Sequence, residues 1–474
     1  MTEKQYYDLI VIGAGTGGYV AAIKAAQLGK KVALVEKGDL GGTCLNVGCI
    51  PTKTMIAHAH VLDKIKHAAD YGITVGSISI DYAKMKERKD GVISKIRKGL
   101  EGLIRSNGIT IVRGAAEFMG PKEIKVKGHD NVVIRGENVI IASGSEPMDI
   151  AAFPCDPKGE NQKIYNSTSI LEMTVLPKTL AIIGGGYIGC EFASLYAELG
   201  VKVILLEALP MIVALQGKAI SDTLTAAFKK QGIDVQTHVM VEGVDKHGKG
   251  VTVRLKDKAS IEADAVLVAV GRKVVSQGMG LQNAGVLVTD RGVIPVNEKM
   301  ETNVPGIYAV GDVTGKMMLA HVAAHQGIIA AINATGGEAV MHYNAVPAVI
   351  FTFPEIAMVG LTQEEAIEKG YTVGIGKFPF QVLGKSVATM ETDGFAQVVI
   401  DKKTGQILGA QVVGSEASSL IAEMTLAIAN ELTIDCLADT IHAHPTLPEA
   451  FHEAGLMAMG TPLHMPPRVS SGVK

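Results

Sequence analysis

A chain of 474 residues is too long for one ordinary hydrophobic core, and its length alone suggests about three domains. With 47% hydrophobic and 20% charged residues it has the composition of a soluble globular enzyme, and a net charge of −3 offers no field for nucleic acid or an anionic membrane. No apolar stretch reaches membrane-spanning length without Gly, Pro or charge, and no leader fits ahead of the first strand. The expected location is therefore the cytoplasm, or a mature mitochondrial matrix form.

The first element is a dinucleotide fingerprint. The apolar strand Asp8 to Ile12 runs into Gly13-x-Gly15-x-x-Gly18, a helix follows to about Leu28, and a second strand from Val32 ends at Glu36. Such a βαβ unit brings backbone close to a pyrophosphate, aims a helix N-terminus at it, and leaves an acid for a ribose hydroxyl. Cys44 and Cys49 follow at once, in GGTCLNVGCIPTK. Two thiols so close to a flavin site can pass two electrons between a nicotinamide and a dithiol, so the first fingerprint is expected to hold FAD. Five residues of regular helix rise about 7.5 Å, beyond the roughly 7 Å limit for a disulfide. Asn46 and Gly48 therefore predict an irregular turn, with regular helix only after Pro51. The alternatives are a metal site, for which two cysteines without partner ligands are too few, and two unrelated thiols. No metal is expected.

A long helical stretch is predicted from Ile50 to about Ile104, and the run Lys84 to Lys89 reads as its solvated face. Strand-like runs come next at Thr110 to Arg113, Ile124 to Val126, Val132 to Ile134 and Val139 to Ala142. Gly114, Ser143 and Gly144 are expected to let backbone approach the flavin nucleotide. The segment Phe153 to Gly159 resembles a connection. Cys155, Cys190 and Cys436 read as ordinary thiols, and five cysteines make no disulfide framework.

A second complete fingerprint follows. Thr179 to Ile183 leads into Gly184-x-Gly186-x-x-Gly189, a helix to about Leu199, and a strand from Val201 ending at Glu207. Two fingerprints mean two dinucleotides, and this one should hold the nicotinamide. The Glu207 carboxylate suits two ribose hydroxyls and repels a 2′-phosphate, and no cation follows before Lys218, which favours NAD over NADP. Tyr187 resembles a residue that in some proteins of similar sequence gates the nicotinamide pocket, and is otherwise a core tyrosine. The strand Ala265 to Val270 and a Gly271-Arg272 turn close the domain, with Gly271 assigned to the cofactor. Asp312 ends a strand running from Thr302, where it either holds a flavin ribitol hydroxyl or caps a turn. His444 sits on a proline-stiffened turn five residues before Glu449. It is either a turn residue or a general base, since imidazole is matched to thiol deprotonation at neutral pH.

The first fingerprint, GGTCLNVGCIPTK, ASG, the second fingerprint, VGR, VGD, FTFPEIAMVG and HAHPTLPEAFHEA together resemble the pyridine nucleotide disulfide oxidoreductase family, class I, over nearly the whole chain. The likeness is strongest to those members that oxidise dihydrolipoyl groups to lipoyl groups and reduce NAD. It implies an α/β fold of two Rossmann-like dinucleotide-binding domains (FAD at 1–148, NAD at 149–276), a central domain completing the FAD site (277–345) and a C-terminal α+β dimerisation domain (346–474). It further implies that Cys49 lies against the flavin, that Cys44 exchanges with substrate, and that Lys53 is a cation near the flavin paired with Glu191. Without the resemblance Lys53 reads as a surface helix lysine. His444 and Glu449 become the base and its orienter, in a homodimer where His444 serves the neighbouring subunit. Lipoyl-bearing subunits of a 2-oxo acid dehydrogenase or of glycine cleavage are the implied partners. Phe353 stands where many relatives have His, and Val274 where many have Pro. The ending Val469 to Lys474 carries no cysteine pair, which argues against a mercuric or large thioredoxin reductase. Another reductase of the family, or a structural subunit that has lost catalysis, remains the alternative reading.

Overall fold

The computed structural model describes residues 5–156, 158, 162–248 and 250–466, which leaves Pro157 and Gly159 of the expected connection, Pro467 and the ending Val469 to Lys474 outside the described residues. By contact the chain falls into two compact units, Met1–Leu176 with Gly271–His342, and Pro177–Val270 with Tyr343–Lys474. The four-part division expected from the sequence is a finer one.

The first unit is built on a sheet whose central strand, Gln5–Ile12, pairs in parallel with Val32–Glu36 on one side and Val132–Ile141 on the other. Thr110–Arg113 extends it beyond Val32–Glu36, while Glu123–Lys127 and Ala115–Gly120 add an antiparallel flank. The short strand Ile307–Ala309 joins in parallel against Val139–Ile141. Ile10, Val11 and Ile140 are fully buried, as expected of parallel strands covered on both faces. Val132 to Ile134 and Val139 to Ala142 are therefore one strand, Val132–Ile141, and not two runs. The stretch between them, Arg135 to Asn138, is polar apart from Gly136. It continues the strand because Gly136 leaves room for Ile10, whose side chain a Cβ would meet at 2.8 Å.

The helix Thr16–Gln27 packs against Ala320–Ala334 with backbone nearly touching backbone. A Cβ on Gly327 would lie 2.4 Å from the Gly17 carbonyl oxygen. The predicted helix from Ile50 to Ile104 is two helices, Cys49–Lys66 and Tyr82–Ser106. Gly72 in the left-handed region ends the first after a short 3-10 turn, and Asp81 opens the second by accepting the Lys84 N–H at 3.1 Å. Lys89, expected in solvent, is 1% exposed. It donates to the Leu171 carbonyl at 2.8 Å and sits 2.8 Å from Asp90 and 3.4 Å from Glu172, with Lys86 bridging the same two carboxylates.

In the second unit four parallel strands lie in the order Asp234–Gln236, Lys202–Leu206, Thr179–Ile183, Ala265–Val268, the sequence of pairings a βαβ fingerprint requires. A small antiparallel sheet of Val241–His247, Gly250–Leu255 and Ile261–Ala263 precedes the last of them. The chain from Ala348 forms a five-stranded antiparallel sheet ordered Ala348–Ile350, Glu355–Gly360, Ile407–Gly414, Phe395–Asp401, Val373–Pro379. Helices Ala417–Ala429 and Glu449–Met459 supply Ile421, Met424, Phe451 and Ala454 to its core.

Candidate active site

The first fingerprint is spatially tight in a way only glycine allows. A Cβ at Gly18 would fall 1.8 Å from the Gly13 carbonyl oxygen, and one at Gly13 would fall 2.4 Å from that of Ala142. Gly42 faces Gly15 at a distance that likewise admits no side chain. Helix Thr16–Gln27 begins at Gly15 with no side chain capping its N-terminus, leaving its first N–H groups and the positive end of its dipole for a phosphate. The Glu36 carboxylate accepts the Ala14 and Gly38 N–H groups at 2.7 Å each, and Gly114 donates to the Glu36 carbonyl at 2.9 Å. This cradle fits the pyrophosphate and ribose of a dinucleotide.

Around it the structure gathers Ser143, Gly144 and Asp312. Ser143 donates to the Val275 carbonyl at 2.6 Å, and Gly144 takes a φ of +72°. Asp312 lies on the 3-10 turn Gly311–Thr314, where its carboxylate accepts the Ser145 hydroxyl at 2.5 Å. The Arg272 guanidinium donates to the Ser145 hydroxyl at 2.7 Å and to its carbonyl at 2.8 Å, and stands 3.9 Å from Asp312. Fully buried Gln326 accepts the Gly311 N–H at 2.7 Å. Sequence reasoning missed Ser145 and Arg272 as holders of Asp312, and Gln326 as the holder of the neighbouring Gly311 N–H. The available signal was a lone glutamine in an otherwise apolar helix face. Gly271, with φ +124°, accepts the Met148 N–H and opens the strand Arg272–Val274, where a turn was expected.

Cys44 and Cys49 sit on either side of a helix break. Gly42–Val47 carries Cys44, and Gly48, at φ −140° and ψ −109°, separates it from Cys49–Lys66. Regular helix thus begins at Cys49, two residues before the expected Pro51. Pro51 needs no N–H donor in a first turn, so it is tolerated inside the helix start. Asn46 braces the break by donating to the carbonyls of Leu40 and Gly42, and Thr52 by donating to that of Gly48. Both cysteines are half-buried thiols in hydrogen-bonding contact. That contact, and then burial, push the Cys44 thiol far up, while the charge of Lys53 works the other way. Two thiols sharing one proton resist double ionisation, and a nearby cation favours the first thiolate.

In the second unit the glycine geometry repeats. A Cβ at Gly189 would lie 1.9 Å from the Gly184 carbonyl oxygen, and helix Tyr187–Glu198 starts at Gly186. Glu207 accepts the Gly185 N–H at 2.6 Å and the Leu209 N–H at 2.7 Å, as Glu36 does in the first fingerprint. Each oxygen keeps a lone pair for a ribose hydroxyl. Tyr187 is 41% exposed at the helix start, which excludes a core role. Glu191, 6% exposed, accepts the Phe351 N–H at 3.0 Å, and Ser194 accepts that of Phe353 at 2.9 Å. The FTFPEIAMVG segment is thereby docked onto the fingerprint helix. Lys53 belongs to the first unit and Glu191 to the second.

His444 and Glu449 are joined. Nδ1 of His444 is 2.8 Å from one Glu449 oxygen, and the Thr446 N–H donates to the other at 2.7 Å. Burial raises the Glu449 pKa, but the Thr446 N–H and the His444 imidazole outweigh it and hold the carboxyl below its ordinary range. A carboxylate on Nδ1 leaves Nε2 as the ring's proton acceptor. The His444 side chain is 77% exposed, so that nitrogen is accessible. Beside it, His442 contacts Glu423 at 2.8 Å and packs on His452.

Cys190 is fully buried and donates to the Gly185 carbonyl at 3.4 Å, Cys155 is pushed up to about 11 by burial and by Asp149 and Asp156, and Cys436 is exposed. Among the described residues no His, Cys, Asp and Glu cluster could hold a metal, and no helix is long and apolar enough to cross a membrane.

Comparison with known proteins agrees with this geometry. The sequence model for pyridine nucleotide-disulphide oxidoreductase matches residues 7–327, and that for the dimerisation domain of the same group matches 346–455. The dihydrolipoyl dehydrogenase of Chlamydia pneumoniae is 52% identical over 464 residues, covering 98% of this chain and 99% of the relative. That of Geobacillus stearothermophilus is 42% identical over 462 residues, covering 97% of each. Among solved structures, LpdA from Mycobacterium tuberculosis superposes with a TM-score of 0.89 at 26% identity, over 96% of this chain and 99% of that one. The Cu(II) complex of the HOCl-induced flavoprotein disulfide reductase RclA from Escherichia coli gives 0.86 at 29% identity, over 96% and 99%. On the fingerprints, the paired thiols and these matches, the chain belongs to the pyridine nucleotide-disulphide oxidoreductase family.

Proposed function

We propose that this chain oxidises dihydrolipoyl groups to lipoyl groups and reduces NAD to NADH, as a flavin-dependent disulfide oxidoreductase. The observation that carries the reading is the contact between Cys44 and Cys49 at a helix break directly behind the first fingerprint, in a chain 52% identical to a named dihydrolipoyl dehydrogenase. Bound FAD, on the first fingerprint, supplies a two-electron acceptor for the dithiol, with NAD on the second as the final acceptor.

The residues divide the remaining work. His444, oriented by Glu449, takes a proton from one substrate thiol, and the resulting thiolate attacks Sγ of Cys44 in the oxidised pair. The Cys44–Cys49 bond breaks, a mixed disulfide forms, and Cys49 leaves as a thiolate stabilised by the charge of Lys53. The second substrate thiol then displaces Cys44, closing the lipoyl ring and leaving the enzyme dithiol. Glu207 selects NAD through its two free lone pairs. The enzyme acts as a homodimer whose C-terminal domains form the contact, with His444 serving the Cys44–Cys49 pair of the neighbouring subunit. Its substrates are the lipoyl groups carried by subunits of a 2-oxo acid dehydrogenase or glycine cleavage system, in the cytoplasm.

Single replacement of each cysteine tests the reading. Cys44→Ser should leave a Cys49 thiolate that gives a long-wavelength charge-transfer band with oxidised flavin, and should abolish dihydrolipoamide turnover. The same band from Cys49→Ser alone would reverse the two roles, and a band in neither would refute the flavin contact.

A further inference from the structure

The segment after Gly460 matched no motif, yet it folds back onto the helix that carries Glu449. Nδ1 of His464 lies 2.7 Å from one Glu453 oxygen, and the His464 backbone N–H donates to the other at 3.2 Å. Both oxygens of Glu453 are thus taken by one residue of the tail. Glu453 is 3% exposed, whereas the His464 side chain is 73% exposed. A buried carboxylate is costly unless paired, and His464 supplies that pairing for Glu453. Met465 packs beside it against the core of the C-terminal sheet.

Glu449 and Glu453 are four residues apart on helix Glu449–Met459, hence on one face and one turn apart. Two carboxylates so placed repel, and an imidazolium held on one of them relieves the repulsion. We propose that His464, clamped by Glu453, is a positioning residue for the His444–Glu449 pair, an inference that rests on the function proposed above. When protonated, the tail imidazole offsets the charge of Glu453, so Glu449 keeps its charge for His444. The charged groups acting on Glu449 are His444 and His464, and both draw it downward. His442 is engaged with Glu423, and His452 with the Ala438 carbonyl and the His442 ring, so neither replaces His464.

The test uses the flavin-loaded dimer and two assays on each sample, dihydrolipoamide oxidation by NAD, and NADH oxidation by ferricyanide, which does not need the His444 pair. Relative to wild type, His464→Ala should lower the ratio of the first rate to the second by about tenfold, a fraction of what a general base contributes. It should also move the acid limb of kcat/KM for dihydrolipoamide to higher pH, because Glu449 then protonates more readily. His464→Asn keeps a donor near the Nδ1 position without the charge. It should restore the fold-back and most of kcat while leaving the acid limb displaced, and it stands in should the alanine variant fail to fold. An unchanged ratio and acid limb in both variants, or parallel loss of both activities, would overturn the inference. Wild type inactive with dihydrolipoamide would instead overturn the function on which it rests.

Discussion

Gly18 and Gly189 occupy equivalent places in two nucleotide cradles, and their steric constraint is nearly identical. A methyl group would lie 1.8 Å from a carbonyl oxygen at the first and 1.9 Å at the second. Because backbone stands in the way at both, neither can be relieved by moving a side chain. The expected phenotypes nevertheless differ. Gly18→Ala should purify largely without flavin, read from the visible absorbance per chain, whereas Gly189→Ala should keep its flavin and lose turnover with NADH. Flavin retention in the first would show that the cradle can open without loss of binding. These glycines, the acids Glu36 and Glu207, and the paired Cys44 and Cys49 were legible because each motif is local and its spacing encodes its geometry. Ser145 and Arg272 were not, since they reach Asp312 from distant segments and no local pattern marks a side chain whose partner is far away, and Gln326 was not because its partner is a backbone N–H, that of Gly311, which no side-chain motif marks. The Glu453 and His464 pair went unread because its spacing of 11 residues crosses the helix end at Gly460 and fits no helical or capping pattern.

Among the elements, helix Tyr82–Ser106 carries the largest departure from expectation. Its run Lys84 to Lys89 reads as solvated, yet Lys89 turns inward to Leu171 and Glu172 while Lys86 and Asp90 complete a four-charge network. Sequence periodicity places a residue on a face, but the partner that makes burial tolerable lies far along the chain. Burial alone would raise Asp90 and Glu172, but the two lysines hold both below the ordinary carboxylate range. The stabilisation from these carboxylates is therefore present above about pH 4 and lost as pH falls through the depressed values. Lys89→Met leaves the buried Leu171 carbonyl without this donor and the half-exposed carboxylates with Lys86 alone, and should destabilise the first unit by about 1–3 kcal/mol, the cost of leaving a buried hydrogen-bonding group unpaired. Urea denaturation followed by flavin release would measure it, and a midpoint equal to wild type would show the network to be dispensable. By contrast the break at Gly48 was foreseeable, because a redox pair five residues apart is incompatible with continuous helix.

For the whole molecule, the proposed shared site makes a quantitative prediction. Cys49→Ser and His444→Ala are each expected to be inactive. In a hybrid dimer of the two, one site carries both lesions and the other neither, so random pairing should return roughly a quarter of wild-type activity. If His444 serves its own subunit, every hybrid site carries one lesion. Activity that stays at the level of the separate variants, with hybrids proven by differential tags, would exclude the shared site. The proposed catalytic parts lie in different units, Cys44 and Cys49 in one and His444 and Glu449 in the other, which is what the hybrid experiment exploits.

The pairing of Ile307–Ala309 with Val139–Ile141 has a consequence for synthesis. The ribosome delivers Val132–Ile141 early, and the strand that covers its second half only after the whole second fingerprint has emerged. Until then Val139, Ile140 and Ile141, all fully buried in the finished protein, present an open apolar edge. Helix Ala320–Ala334, which supplies Gly327 to the contact with Gly17 and Gln326 to Gly311, arrives later still. A nascent chain halted before Ile307 therefore displays a sticky half-sheet and lacks Asp312 itself together with Gln326, so flavin capture is expected only after translation has passed Ala334, and the interval before it is when the chain most needs shielding from its neighbours.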